Sequence, residues 1–263
     1  MPDDRSLTAI AVESGTDKAE LHGYTDFYDS LLGSLRDKPI RLLEIGVGGD
    51  DDPRAGGNSL RMWKAYFPAA EIVGIDYFDK SAHAEERISI YRGDQGDDQF
   101  LNDVVQKEGP FDVIIDDGSH LNHHMKSSFE TLFPTLSPSG IYIIEDLQTS
   151  YWPEYGGRIR LGSSSTIMGL VKQRIDGLHH AEFRLPRFVP SNLDESIVEI
   201  RLIRNSVAFI KGDNTRPSTM NHSHPLGFRG WIRKDLKPQV RQHLDRIARF
   251  RPTHATSPDR ASR

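Results

Sequence analysis

The chain has no cysteine among its 263 residues, which excludes a disulfide framework, a thiolate zinc site and a cysteine nucleophile. It also lacks long apolar runs, and none approaches the ~20 residues needed to cross a bilayer. Residues 1–17 are polar and acidic and lack the apolar stretch of a secretory signal. These absences predict a soluble cytoplasmic protein without a membrane span.

The net charge of -5 is unevenly distributed along the chain. Residues 214–263 carry 11 Lys and Arg against 3 Asp, whereas the first 213 residues carry 22 basic and 35 acidic side chains. An acidic body argues against nucleic-acid binding, which requires a basic face to displace counterions. We interpret residues 213–263 as a solvated basic helix followed by a disordered tail.

Five short segments rich in β-branched residues alternate with amphipathic, helix-like segments. The five cover residues 40–47, 71–78, 87–94, 111–118 and 140–147. Their interiors are apolar without alternation, which is typical of parallel strands covered on both faces. The alternation predicts an α/β fold with a doubly wound sheet and helices on both faces.

The last two strand-like segments, 196–203 and 206–212, are separated only by Arg204 and Asn205. Two residues are too few for a helical crossover, so these strands form an antiparallel hairpin. Five parallel strands closed by such a hairpin are the Rossmann-like layout of class I methyltransferases.

A stretch without strand character, residues 153–192, follows the fifth strand and contains helical spacing over 165–178. An insertion at this point lies over the crevice where ligands bind in such sheets. We predict a lid that covers the substrate, with Tyr151, Trp152 and Tyr155 available to stack on a sugar face. Packing of these aromatic side chains in the core or at a hinge is the alternative.

The first predicted strand runs into a glycine-rich loop. Gly46 and Gly48 allow the backbone to turn tightly and to approach a ligand. The three aspartates at 50–52 would repel a pyrophosphate, whereas a cationic sulfonium cofactor suffers no such penalty. Together with Glu44, the loop favours S-adenosylmethionine.

Polar residues also end the second and third predicted strands. Asp76 lies where an acid hydrogen-bonds ribose hydroxyls, and Asp94 and Gln95 lie near the expected position of an adenine. Each residue alone is an ordinary turn former. Their common position beside the glycine loop predicts an adenosine site.

Paired acids end the fourth and fifth strands: Asp116 with Asp117, and Glu145 with Asp146. Neighbouring strand ends bring these carboxylates together, and they repel one another unless a cation neutralises them. Oxygen ligands favour Mg²⁺, with Mn²⁺ as a substitute. We predict Asp117, Glu145 and Asp146 as ligands and Asp116 behind them or at the cofactor. Helix N-caps are the alternative; they explain one acid per loop well and paired acids in both loops poorly. A Lys or Arg head group at this point would exclude the ion.

Three histidines follow the fourth strand, but they lack the glutamate of the metalloprotease motif. His123 and His124 are interpreted as side chains on a helix surface. His120 follows the predicted ligand Asp117 by three residues, and its ordinary pKa near ~6.5 suits proton abstraction at neutral pH. We predict His120 as the general base.

Seven segments resemble the metal-dependent sugar O-methyltransferases, a family that includes macrolide deoxysugar 2-O-methyltransferases. The segments are 15–32, 42–49, 56–68, 75–81, 92–97, 114–124 and 142–157. The resemblance implies S-adenosylmethionine and Mg²⁺ as cofactors. It implies a metal ligand at Asp117, a base at His120 and ligands at Glu145 and Asp146.

The resemblance also implies that residues 1–36 cover the cofactor and that residues 37–212 form the methyltransferase domain. The side chains implied to act in the covering segment are Thr16, Lys18, His22 and Tyr24. A homodimer is the oligomeric state expected of an enzyme of this size.

The implied reaction is methyl transfer to a hydroxyl of a small sugar or oligosaccharide. The resemblance favours the 1-hydroxyl of a mannoside precursor of methylmannose polysaccharide, with a deoxysugar of a glycosylated natural product as the alternative acceptor. Rival functions are a catechol-type O-methyltransferase, an iron-dependent hydroxylase on the same carboxylates, and a module that senses S-adenosylmethionine without catalysis. The last leaves the paired acids without a role.

Overall fold

The computed structural model describes residues 5–183 and 188–219. The chain divides into two compact units, one of Met1–His180 with Pro190–Arg216 and one of Ala181–Val189 with Pro217–Arg263. The predicted basic helix and tail lie almost entirely outside the described residues. No helix among the described residues is long and apolar enough to cross a membrane.

Seven strands form one sheet in the first unit. They are β1 (Arg41–Ile45), β2 (Glu71–Asp76), β3 (Ile88–Arg92), β4 (Val113–Asp116), β5 (Ile141–Ile144), β6 (Ile197–Ile203) and β7 (Ser206–Lys211). The order is β3-β2-β1-β4-β5-β7-β6. Strands β1 to β5 are parallel, and β7 pairs antiparallel with both β5 and β6. The predicted sheet with its closing hairpin is confirmed.

Helices cover both faces of this sheet. They are α1 (Leu7–Ser14), α2 (Asp17–Glu20), α3 (Thr25–Leu32), α4 (Asn58–Tyr66), α5 (Asp98–Glu108), α6 (Asn122–Leu132), α7 (Ile167–Leu178) and α8 (Asn192–Ser196). One apolar core joins the sheet to α1, α3 and α4, and a second joins it to α5, α6 and α7. Each central strand therefore buries side chains on both faces, which explains its continuous apolar sequence.

The direction of the strand order reverses between β1 and β4, and ligands bind at the carboxyl ends of the strands at such a point. Asp116 of β4 pairs in register with Ile144 of β5, and the Glu145 amide donates to the Asp116 carbonyl at 3.0 Å. The paired acids that follow β4 and β5 are thus neighbours, although about 28 residues separate them in the sequence.

The turn of the β6–β7 hairpin lies beside the end of β5. Asn205 takes a left-handed backbone conformation with φ 65°, which asparagine tolerates better than most residues. Its carbonyl accepts a hydrogen bond of 3.0 Å from the Leu147 amide. The hairpin therefore closes the sheet edge next to Asp146.

The predicted lid contributes part of its length to the core. Ile167, Leu170 and Val171 of α7 are buried, and α7 packs against α6, α8 and β6. Residues 184–187 of the insertion lie outside the described residues. A covering role for this insertion stays a prediction.

Candidate active site

Two adjoining cavities open at the carboxyl ends of the central strands, with volumes of about 740 and 300 Å³. Five residues line both: Asp17, Gly46, Gly48, Gly49 and Asp117. The larger cavity is also lined by Asp76, Asp94, Gln95, His120 and Tyr155. Its volume falls in the ~300–1,000 Å³ range of small-molecule sites.

The loop after β1 shapes the floor of both cavities. Gly46 has φ +94°, and a Cβ there would lie 2.2 Å from the Asp117 carbonyl oxygen. Only glycine lets the loop after β1 lie this close to the loop after β4. Gly48, also with positive φ, faces both cavities.

Asp76 and Asp94 lie where the sequence predicts an adenosine site. The Asp76 carboxylate accepts from the Val47 and Phe78 amides, each at 2.8 Å. These two bonds fix its orientation and leave further lone pairs for a ligand hydroxyl. Asp94 lines the same cavity and accepts from the Gly96 amide at 2.8 Å.

Gln95 lines the cavity, but its amide group is used inside the protein. Its Oε1 accepts from the Ser119 amide at 2.6 Å, and its Nε2 donates to Asp116 Oδ1 at 3.0 Å. Asp116 also accepts from Ser128 Oγ at 2.6 Å. Burial raises the pKa of Asp116, and its hydrogen bonds oppose that rise.

The position of Asp116 favours one of its two predicted roles. The sequence predicts it behind the metal ligands or at the cofactor, and it is 1% exposed and lines neither cavity. Its oxygens are occupied by protein donors, so Asp116 supports the loop between β4 and α6 from beneath.

Lys18 makes the most unexpected contact of the site. Its Nζ lies 2.5 Å from Asp117 Oδ2, 2.7 Å from Glu145 Oε1 and 3.5 Å from Glu44 Oε1. The ammonium group thus occupies the space between Asp117 and Glu145, where the sequence predicts a divalent ion, and it excludes an ion from that space as long as it stays there. The Thr16 side chain caps α2 and directs Lys18 inward, a path that strand ends alone do not predict.

The carboxylates around Lys18 outnumber its single positive charge. Burial raises the pKa of Glu44 to about 7, and burial with the nearby Asp117 charge raises that of Glu145. Burial lowers the pKa of Lys18, but the charges of Asp117 and Glu145 more than reverse this. Tyr28 donates a short hydrogen bond to Glu145. An additional cation would relieve the remaining negative charge.

A group able to hold a metal lies directly beside Lys18. Asp117, His120 and Asp146 each offer one ligand atom, and these atoms lie within 4.8 Å of one another. Mg²⁺ often binds proteins through one or two carboxylates and keeps several waters. Two carboxylates with His120 alongside fit that pattern. Glu145 instead faces Lys18 and joins the ligands only if the ammonium withdraws.

His120 and Asp146 face each other across this group, with Nε2 and Oδ2 3.6 Å apart. Both residues have φ 56°, a left-handed conformation that costs about 1–3 kcal/mol and concentrates at functional sites. The Nδ1 atom of His120 is buried without a hydrogen-bond partner among the described residues. Nε2 is therefore the nitrogen available to the cavity.

The four residues of the N-terminal segment that were predicted to act at the site differ in whether they line a cavity. Thr16 lines the smaller cavity, whereas Lys18, His22 and Tyr24 line neither. The His22 and Tyr24 rings stack with centroids 5.1 Å apart, and the Tyr24 hydroxyl lies 3.4 Å from Asp146 Oδ1. Lys18 and Tyr24 thus contact the acids, whereas His22 lies beside Tyr24 and 3.5 Å from Asp17. A cofactor role for these three side chains stays a prediction.

Glu44 is a correction to the predicted cofactor contacts. It is fully buried and lines neither cavity. Its Oε2 accepts from Ser59 Oγ at 2.8 Å, and its Oε1 lies 3.5 Å from the Lys18 ammonium nitrogen. Glu44 belongs to the buried charge cluster beneath the glycine loop.

The residues that line the larger cavity without having been predicted as site residues include Asp17, Tyr77, Phe78 and His124. Tyr77 and Phe78 directly follow Asp76, and their rings meet edge to face at 5.4 Å. The signal in the sequence that could have identified Tyr77 and Phe78 was their position as an aromatic pair directly after Asp76, at the end of a strand predicted to face the cofactor.

The three predicted sugar-stacking aromatics do not share one position. Tyr155 lines the larger cavity, whereas Tyr151 and Trp152 are exposed and line neither cavity. The Trp152 and Tyr155 ring centroids are 5.9 Å apart. Trp152 therefore neighbours the cavity through Tyr155.

Several curated proteins are similar to this chain. The 8-demethyl-8-alpha-L-rhamnosyl tetracenomycin-C 2'-O-methyltransferase of Streptomyces olivaceus is 47% identical over 177 residues, 67% of this chain and 47% of that protein. The mycinamicin VI 2''-O-methyltransferase of Micromonospora griseorubida is 43% identical over 223 residues, 84% of this chain and 53% of that protein. The chain spans about half the length of these relatives.

A solved structure shows the same fold. MycE methyltransferase from the mycinamycin biosynthetic pathway, in complex with Mg, SAH and mycinamycin VI, matches with a TM-score of 0.81 and 40% identity. The match covers 88% of this chain and 60% of that one. No protein-family model matches the chain. Over the stretch that it shares with these relatives, the chain belongs to the same family as these sugar O-methyltransferases.

Proposed function

We propose that this protein transfers a methyl group from S-adenosylmethionine to a sugar hydroxyl, with Mg²⁺ as a second cofactor. The observation that carries the proposal is the group of Asp117, His120 and Asp146 beside a cavity lined by the glycine loop and Asp76. A metal site and an adenosine site thus adjoin, as a metal-dependent methyl transfer requires.

The two cavities divide the cofactor between them. Asp76 accepts hydrogen bonds from the ribose hydroxyls in the larger cavity, and Asp94 lies toward the adenine end of the cofactor. The smaller cavity, lined by Thr16, Asp17 and Asn58, takes the amino-acid part. Asp17 lines both and stands where the two parts of the ligand join.

Asp117 and Asp146 hold the metal in this proposal. When bound, Mg²⁺ lowers the pKa of a coordinated hydroxyl. Asp146 has a second role, because its carboxylate faces His120 Nε2 at 3.6 Å and stabilises the imidazolium that forms there.

His120 is the general base of the reaction. Its Nε2 accepts the proton of the sugar hydroxyl while the sulfur–methyl bond breaks and the oxygen–methyl bond forms. The neutral demethylated cofactor is the leaving group, so no other proton or electron is exchanged. Help of this kind contributes about 10²–10⁴ in rate.

The acceptor is a deoxysugar hydroxyl of a glycosylated natural product. The relatives' names support this class, whereas none of them supports the mannoside that the sequence favours. We assign stacking on the sugar to Tyr155, which lines the larger cavity.

Incubation of the full chain with S-adenosylmethionine and Mg²⁺ tests the proposal. The acceptors are mycinamycin VI, 8-demethyl-8-alpha-L-rhamnosyl tetracenomycin C, a mannoside and a catechol, with products identified by mass spectrometry. We expect a methylated deoxysugar, its loss with EDTA and its return with Mg²⁺. Binding of S-adenosylhomocysteine without methylation of any acceptor would indicate a sensing module, and oxygen-dependent hydroxylation would indicate the hydroxylase.

A further inference from the structure

Asn122, the first residue of α6, joins three separate segments of the chain. Its side chain is 1% exposed. Its Nδ2 donates to the Thr149 carbonyl at 3.1 Å and to the Tyr155 carbonyl at 2.9 Å. Its Oδ1 accepts from the Ile167 amide at 2.8 Å. Both amide hydrogens and one acceptor position are thus used.

One of these three partners lies at the wall of the larger cavity, and the other two are buried. Thr149 and Tyr155 lie in the segment that follows Asp146, and Tyr155 lines the larger cavity. Ile167 is the first residue of α7. Asn122 itself follows His120 by two residues, so one side chain ties the loop of the base to both neighbouring segments.

The residue type matters for this arrangement. Two carbonyls require two donors and the Ile167 amide requires an acceptor, and a planar carboxamide provides both. A carboxylate at the same position would keep the acceptor and lose both donors. Alanine would leave all three backbone groups without their buried partner.

We propose that Asn122 is a positioning residue that holds Tyr155 and the start of α7 in place against the His120 loop, and so sets the acceptor-binding wall. The assignment of that wall to an acceptor rests on the proposed function. Ser150 adds a second tie, because its Oγ accepts from the Met168 amide at 3.2 Å. The stretch between Tyr155 and Ile167 exposes the side chains of Ile159 and Leu161. The hydrogen bonds of Asn122 and Ser150 therefore hold the chain at the two ends of this stretch.

Two variants of the full chain distinguish the contributions of the three hydrogen bonds that Asn122 makes. Asn122→Asp retains the bond to the Ile167 amide but turns a carboxylate toward two carbonyl oxygens. Asn122→Ala removes every bond. The matched control is Arg174→Met, which removes a buried ion pair of 3.0 Å with Asp194 at a point ~10 Å along α7 from Ile167.

We call the three hydrogen bonds of the Asn122 side chain the clamp. Amide hydrogen exchange measures how firmly the clamp holds its partner segments, and it requires no turnover. Asn122→Asp should speed exchange at Trp152, Tyr155 and Arg158 by about tenfold and leave the Ile167 amide protected. Asn122→Ala should release the Ile167 amide as well. Arg174→Met should leave the amides of 149–158 unchanged. Unchanged exchange at these amides in Asn122→Asp and Asn122→Ala overturns the inference.

Kinetics and calorimetry test the link to the acceptor. Asn122→Asp should raise the KM for whichever acceptor the wild type methylates by at least about tenfold, because a wall displaced by an ångström loses orientation. The Kd for S-adenosylhomocysteine should stay within about threefold. Equal losses in acceptor and cofactor binding, or an Arg174→Met profile identical to that of Asn122→Asp, would overturn the positioning role.

The two proposals fail separately. A wild-type protein that methylates none of the acceptors contradicts the proposed function. Faster exchange at Tyr155 in Asn122→Asp under the same conditions would still support the clamp. Normal methylation by the wild type, with unchanged acceptor KM in Asn122→Asp, contradicts the clamp and leaves the proposed function intact.

Discussion

The ammonium nitrogen of Lys18 lies 2.5 Å from Asp117 Oδ2, a contact between residues 99 positions apart in the sequence. It brings the N-terminal segment into the base of the site and places one positive charge among three acids. A divalent ion at Asp117 therefore shares that carboxylate with Lys18 or displaces the ammonium. The charge balance of the site therefore depends on the N-terminal segment as well as on the ends of β4 and β5.

Replacing Lys18 by methionine should lower the free energy of unfolding by about 3–5 kcal/mol, because it leaves buried carboxylates unpaired. Urea unfolding without divalent ions measures the change. The control is Lys64→Met, whose pair with Glu85 is partly exposed at 2.9 Å and should cost less than about 1 kcal/mol. Equal effects of the two variants would contradict the central role of Lys18.

The free energy of unfolding should change with pH because the buried Glu44 carboxyl titrates. Its pKa is raised by burial from 4.5 to about 7, so the folded protein holds this proton more tightly than the unfolded chain. The resulting stabilisation is fully present below pH 4.5 and is lost as the pH rises through 7. At one pKa unit per ~1.4 kcal/mol, the loss is roughly 3 kcal/mol.

Urea unfolding between pH 4.5 and 8 tests this relation. Glu44→Gln carries no titrating proton, so its stability relative to the wild type should rise over that interval. A difference between the two proteins that does not change with pH would rule out the titration of Glu44 as the cause.

Asp146→Asn should weaken Mg²⁺ binding by at least about tenfold. Asparagine tolerates the left-handed backbone at this position, so the change removes charge with little strain. Titration calorimetry with MgCl₂ measures the affinity. Asp98→Asn is the control, since Asp98 lies on α5 and accepts from Ser127 and Thr131. Unaltered binding in Asp146→Asn would remove it from the ligand set.

His120→Ala should reduce methyl transfer by at least ~10² and leave the Kd for S-adenosylhomocysteine within about twofold. Single-turnover rates and calorimetry provide the two measurements. His123→Ala is the matched control, because His123 is exposed on α6. A near-wild-type rate in His120→Ala would exclude it as the base.

Gly46→Ala should cost more stability than Gly23→Ala. Both glycines have positive φ, which costs a non-glycine residue about 1–2 kcal/mol. A Cβ at Gly46 would also meet the Asp117 carbonyl at 2.2 Å, whereas a Cβ at Gly23 has no neighbour within 4 Å. Thermal unfolding should rank the variants in that order, and Gly46→Ala should also weaken S-adenosylhomocysteine binding.

Much of the site follows from local sequence patterns. The apolar strands and the two-residue link at Arg204 and Asn205 predict the sheet, and parallel pairing then places Asp117 near Asp146. Glycines before acids at strand ends predict the cofactor loop for the same reason. These features depend on neighbours in the chain or on the regular geometry of a sheet.

The amino-acid sequence by itself determined the parallel sheet with its closing hairpin, the glycine loop and the approach of Asp117 to Glu145 and Asp146, because each depends on periodicity and on which strand ends meet. Only the tertiary structure decided that Lys18 lies between Asp117 and Glu145, that Glu44 and Asp116 are buried, and that Asn122 joins three segments. Such contacts depend on how distant segments pack and on side-chain direction. The sequence alone does not show whether a lysine such as Lys18 is buried or exposed, because its burial and its ion-pair partners depend on contacts between distant segments.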